Sequence, residues 1–181
     1  LQSKYDFRVP VTVPNGVYNL RFKVIDQVTG KPFNERSTPL TTVNVGSRPR
    51  DFAVPAGASP LDVTFDDVAR LVGADVDRSG TQLTVTLFWQ GQTLTTTNYT
   101  TFVQLLNADG STARQIDRWQ IAFDAPTSTW LPGQVIADQY VFEPSSDALR
   151  IGVGLYNAAT GERVRASEAG QRVAQDRVIL R

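Results

Sequence analysis

The stretch "TQLTVTLFW", Thr81 to Trp89, decides the fold. Leu83, Val85, Leu87 and Trp89 fall on one side of a period of two, with Thr84, Thr86 and Phe88 on the other. Strict alternation of apolar and polar residues, with β-branched and aromatic types throughout, is the pattern of a half-buried strand. Working outward, "VYNLRFKV" repeats the pattern with Leu20, Phe22 and Val24, and "LRIGVGLY" with Leu149, Ile151, Val153 and Leu155. Further strands are predicted over Phe7 to Val13, Leu40 to Val45, Arg70 to Asp75, Thr100 to Leu106, Ala113 to Trp119, Val135 to Phe142 and Val173 to Leu180. Between them stand Pro14-Asn15-Gly16, Thr29-Gly30, Asp109-Gly110, Pro132-Gly133 and Thr160-Gly161, the residue pairs of tight antiparallel connections. The class is all-β, an antiparallel β-sandwich of immunoglobulin-like or jelly-roll-like form. Only "SPLDVTFDDVARLV" hints at a helical turn, with Asp62 as its cap.

The chain has 181 residues, enough for one domain or one domain and part of another, and enough to bury a core without metal or disulfide. Its 18 basic residues balance 18 acidic ones, so no long-range field draws it to nucleic acid or to an anionic bilayer. No apolar run approaches the roughly 20 residues that span a membrane. Cysteine, histidine and methionine are absent. The lack of cysteine fits either redox compartment. A start at Leu1, without methionine and close to strand-like sequence, reads as a piece of a longer protein.

Gly161 follows Gly30 by 131 positions, and laying one on the other reveals an echo. In both places a proline-led turn precedes an alternating strand (Leu20, Phe22, Val24; Ile151, Val153, Leu155), then "IDQVTGKPF" or "YNAATGERV", then a short closing strand, "TVNV" or "RVIL". The match is of pattern more than of letters. It divides the chain into closing strands of a partial repeat (1–46), a linker rich in Pro, Gly and Ser (47–60) and a complete sandwich (61–181). A half repeat leaves an apolar face and open strand edges, so residues 1–46 are expected to pack on the same chain or to pair with another.

Without His or Cys, the Ser-His-Asp and Cys-His nucleophile systems and the usual zinc sites are ruled out. A glycosidase would need only two carboxylates, but nothing in the spacing of Asp66, Asp67, Asp117, Asp124, Asp138 and Glu143 singles out a pair. "DVDRSG" places Asp75, Asp77 and Ser79 at the alternate positions of a calcium loop, with Gly80 at its sharp turn. Thr86 stands where that loop needs a bidentate Glu, so the segment reads mainly as a polar turn. No P-loop occurs, and "GVGLY" is a strand whose glycines mark close packing. Aromatic side chains are the remaining handle, since sugar rings stack on flat faces beside amides and carboxylates. Trp89 shares the core face of its strand. Trp119, at the end of "RQIDRW", and Trp130, before Pro132, are candidate stacking residues, with Asp138 and Tyr140 beside them in "PTSTWLPGQVIADQYVFEP". Trp130 fits a plug for the sandwich edge better than it fits a sugar platform.

Taken in order, "LTVTLFWQ", "NYTTFVQLLNADGSTARQIDRW", "PTSTWLPGQVIADQYVFEP" and "LRIGVGLYNAATGERV" resemble the β-sandwich module of extracytoplasmic regions of bacterial membrane glycosyltransferases. The relevant enzymes are related to the protein mannosyltransferase type, notably in Chloroflexi-like bacteria. The resemblance covers about residues 61–181 and rests on Phe88 and Trp89, Tyr99 to Gly110, Pro126 to Asp138 and Gly154 to Arg163. It implies a non-catalytic accessory module on the extracytoplasmic side of a bacterial membrane, belonging to a membrane-anchored parent that carries any glycosyl transfer. Binding or positioning a glycan or cell-surface acceptor is then the expected work, with a structural spacer or protein-interaction repeat as the alternative. No cofactor and no nucleic acid partner is expected.

Overall fold

The computed structural model describes residues 9–33, 36–46, 49–79, 81–121, 124–143 and 150–180. These residues form an all-β protein in which every strand pairing is antiparallel. The chain divides into two compact units, Leu1–Pro49 and Arg50–Arg181.

The first unit carries β1 (Gly16–Phe22) and β2 (Thr38–Val45), paired from Gly16↔Val45 to Phe22↔Thr38 with a bulge after Leu20. The proline-flanked residues 9–13, expected to be strand, instead form a turn closed by Val13 N donating to Pro10 O (3.0 Å). Pro10 and Pro14 each lack the N–H that a strand ladder needs there. Phe7 and Arg8 lie outside the described residues.

The second unit is built from β3 (Ser59–Phe65), β4 (Ala69–Asp77), β5 (Leu83–Gly91), β6 (Tyr99–Leu106), β7 (Thr112–Arg118), β8 (Val135–Phe142), β9 (Arg150–Asn157), β10 (Ala166–Glu168), β11 (Gln171–Arg172) and β12 (Val178–Leu180). One sheet has the order β11-β10-β3-β4-β5-β8 and the other β12-β9-β6-β7. Their inner faces share one core. Val63, Phe65, Leu71, Leu83, Val85, Leu87 and Trp89 come from the first sheet, and Val103, Leu105, Ile151, Val153 and Leu155 from the second. Phe65 meets Trp89 edge to face at 5.2 Å, a geometry that adds to their area burial. Alternation is therefore a direct record of which side chains face the opposite sheet.

Three sequence expectations change. "SPLDVTFDDVARLV" is not helical but a strand pair: β3 turns at Asp66, whose φ is 41°, and returns as β4. Asp62 caps nothing; its carboxylate takes Arg70 Nε at 2.6 Å across the strands. Val173 to Leu180 is strand only at its end, since Ala174–Asp176 form a short 3-10 turn. The linker is fixed near its start: Arg50 Nη1 donates to Thr129 O (3.0 Å), and Val135 N donates to Asp51 O (2.8 Å).

The echo at 131 positions is reproduced hydrogen bond by hydrogen bond. Asp26 N to Lys31 O, Gly30 N to Asp26 O and Phe33 N to Val24 O have counterparts in Asn157 N to Glu162 O, Gly161 N to Asn157 O and Val164 N to Leu155 O. The bridge Ile25↔Pro32 matches Tyr156↔Arg163. Val28 N donates to Asp26 Oδ1 as Ala159 N does to Asn157 Oδ1. Gly30 and Gly161 both need positive φ (66° and 75°), which is why glycine stands there. The strands follow suit: Phe22↔Thr38 corresponds to Val153↔Val178. That second pairing lies 140 positions on for the return strand, nine more than for the outgoing one, because β10 and β11 are inserted between.

Candidate functional site

The segment from Ala125 to Tyr140 is held by its own side chains. Thr127, opening a 3-10 turn at Thr127–Thr129, donates its hydroxyl to Thr97 O (2.7 Å) and accepts from Tyr99 N (3.0 Å), which fixes where β6 begins. Trp130 follows with only 1% of its surface exposed, and its indole Nε1 donates to Ala125 O at 2.8 Å. The Pro-Gly turn then closes on β5, with Gly133 N donating to Gly91 O (2.8 Å) and Gly91 N to Gln134 O (2.9 Å). A Cβ on Gly91 would lie 2.6 Å from Leu131 O, so the close approach of this turn demands glycine.

Asp138 is fully buried. Its Oδ1 takes Arg118 Nη1 (2.8 Å) and Ile121 N (2.8 Å), and its Oδ2 takes the Tyr140 hydroxyl (2.7 Å). The Arg118 guanidinium also lies 4.0 Å above the Tyr140 ring and donates to the carbonyls of Trp119 and Gln139. Burial, reinforced by the neighbouring carboxylate, pushes the Tyr140 hydroxyl far above the ordinary phenol range. The charge on Asp138 is thus matched by an arginine and by hydrogen bonds, as a buried charge requires.

Of the four residues nominated for sugar binding, Trp130, Asp138 and Tyr140 are therefore set inside the sandwich wall. Their placement corrects the expectation of an open stacking face: each polar atom is directed at a neighbour within the fold. Trp119 is half-buried at the end of β7. The calcium candidates also part company. Asp75 lies on β4 with Oδ1 accepting Ser59 N (3.2 Å), while Asp77 Oδ1 accepts Ser79 N (2.8 Å) in a two-residue turn. Gly80 lies outside the described residues. Among the described residues, no three acidic side chains group as a metal site would need.

Two features escaped the sequence reading. The first is a polar row across the outer face of the four-stranded sheet. Tyr156 donates its hydroxyl to Asp117 Oδ2 (3.2 Å), Gln115 Nε2 donates to the same oxygen (2.7 Å), Gln104 Nε2 to Gln115 Oε1 (2.7 Å), and Arg177 Nη1 to Gln104 Oε1 (3.1 Å). Beside it Arg163 lies 4.6 Å over the Phe102 ring. Strand parity was the available signal, since Phe102, Gln104, Gly152, Gly154 and Tyr156 all alternate with core residues. Burial, with Arg163 and Arg150 nearby, lowers the Arg177 pKa from its ordinary value. The second feature is a cleft of about 900 Å³ at one end of the sandwich, with Leu61, Val76, Leu106 and Val178 in its wall and Arg150 and Arg177 at its rim. None of Trp119, Trp130, Asp138 or Tyr140 lines it.

Comparison of the chain with protein-family models, with curated proteins and with solved structures gives no match.

Proposed function

We propose that this chain is a non-catalytic accessory segment, made of β-sandwich modules in tandem, that spaces and orients the parts it joins on the extracytoplasmic side of a bacterial membrane. Its parent is a membrane-anchored, glycosyltransferase-like protein. The observation that carries the reading is the hairpin formed twice at 131 positions with the same hydrogen bonds, which is how repeated modules record their origin. The inward placement of Trp130, Asp138 and Tyr140 supports it, because those side chains hold the wall rather than face a ligand. The test is a glycan array and a glycoside-hydrolysis panel with the purified chain. Blank results across both are expected; saturable binding or turnover of a sugar overturns the spacer role.

The polar row on the outer sheet favours a second reading, glycan binding at Gln115, Asp117 and Tyr156, with Gln104 buried behind them. Amide, carboxylate and phenol groups in a line suit a run of sugar hydroxyls. If any array signal appears, Gln115→Ala should abolish it, since Gln115 joins both ends of the row. Persistence of the signal in that variant sinks the second reading.

A further inference from the structure

In the second unit, β9 has neighbours on both edges, β12 and β6. Its inner residues Ile151, Val153 and Leu155 are 1%, 0% and 0% exposed. In the first unit, among the described residues, the matching strand β1 has a neighbour on one edge only, β2. Two matching apolar residues, Phe22 at its end and Val24 just beyond it, are 44% and 54% exposed. An open edge and an apolar face on the same strand are what a removed sheet neighbour and a removed facing sheet leave behind.

We propose that β1 and β2 are the closing hairpin of a preceding sandwich in the same polypeptide, and that a β6-like strand of that module pairs antiparallel with β1 while its facing sheet covers Phe22 and Val24. This rests on the tandem reading above. The order within the second unit supports the choice of occupant, because there the half that covers β9 precedes it in the chain. The register is specified as well. Thr101, Val103 and Leu105 oppose Leu155, Val153 and Ile151, so the missing strand sets inward residues opposite Val24, Phe22 and Leu20.

One difference argues against a second copy of this chain as the occupant. Phe102 lies flat over Gly154, where an added Cβ would sit 2.3 Å from the ring's Cζ. The position matching Gly154 in the first unit is Lys23. A β6 strand bearing Phe102 cannot lie on β1 as it lies on β9. The strand that covers β1 carries a small residue at that point, leaving Lys23 to the outer face.

The experiment is amide hydrogen exchange on three chains. The first is the chain as it stands. The second carries a duplicate of residues 50–143 joined directly ahead of Val13, which keeps the spacing at which that half precedes β9, with the duplicate's copy of Phe102 changed to Thr. The third keeps Phe in the duplicate and carries Lys23→Gly instead, making the contact the same as the one at Gly154. The chain as it stands is expected to be monomeric with fast exchange along the open edge of β1, and both extended chains are expected to slow that exchange about 100-fold or more. Failure of both extended chains to protect β1 overturns the proposal, whatever the state of the duplicated half. Protection of β1 in the unextended chain, as a monomer or through dimerisation, overturns it too. A sugar found on the array would remove the spacer role and leave these exchange outcomes unchanged, so the two failures are distinguishable.

Discussion

Asp138 carries a charge with no solvent contact, and three donors from β7, the following turn and β8 itself converge on it. Replacing it with alanine leaves Arg118, only 13% exposed in its side chain, facing the wall unpaired. Asp138→Ala should lower stability by about 3–5 kcal/mol, read from a denaturant midpoint, whereas trimming half-buried Trp119 should cost less. Tyr140 adds a pH signature. Its folded-state pKa is raised, so its contribution is complete below about pH 10, the unperturbed phenol value, and drains as the pH climbs, because the unfolded chain then loses a proton that the folded one keeps. Stability measured from pH 8 upward should fall more steeply in the parent than in Tyr140→Phe; equal slopes would contradict this assignment. Neither role was readable from the sequence. A tryptophan, an acid and a tyrosine beside a Pro-Gly turn have the composition of a sugar site, and only the arrival of Arg118 from another strand and of the Ala125 carbonyl shows that their polar atoms are already engaged.

At the level of elements, period two was legible in β5, β6, β8 and β9, each of which turns a face into the core. It failed for β3, where a register shift between Pro60 and Val63 breaks the alternation and Asp62, Asp66 and Asp67 imitate a helix start. It also failed for β10 and β11, which are three and two residues long, too short to show a period. The glycines of β9 were correctly read as close-packing positions, and the two differ in what they meet. An added Cβ at Gly154 strikes the Phe102 ring and, at 2.8 Å, the Asp176 carbonyl, whereas at Gly152 it meets the flexible stem of Arg177 at 2.7 Å. Gly154→Ala should therefore destabilise the second unit by about 1–3 kcal/mol, and Gly152→Ala by less than about 1 kcal/mol. Thermal melting of the two variants side by side checks this, and a reversed order would show that Phe102 yields more easily than the arginine stem.

For the whole chain, the two units differ in what they can sustain. The second has a core shared by two sheets, while the first has, among its described residues, one two-stranded sheet, a form that is marginal in water by itself. Deleting residues 1–49 should leave the main thermal transition within about 2 °C, and the isolated first unit should show no cooperative transition. A large loss of melting temperature on deletion would mean that the first unit contributes to the second unit's core. Asp176 contributes to the low pH limb, its carboxyl held below its usual range chiefly by the hydrogen bond from Arg172. Its contribution is present above about pH 4 and fades as the carboxylate is protonated at lower pH. Arg172→Ala should accordingly make the acid limb shallower in a pH series of melts.

Phe102 lying on Gly154 has one more consequence, for folding on the ribosome. In a chain of similar modules every hairpin is a rival partner for every front half, and mispairing between neighbours is the characteristic error of such arrays. On the tandem reading proposed above, Lys23 at the position matching Gly154 steers β6 away from the earlier hairpin and leaves it free until β9 emerges. On that reading, a single ring and the absence of a single carbon atom are an address label, telling each half-sandwich which tail is its own.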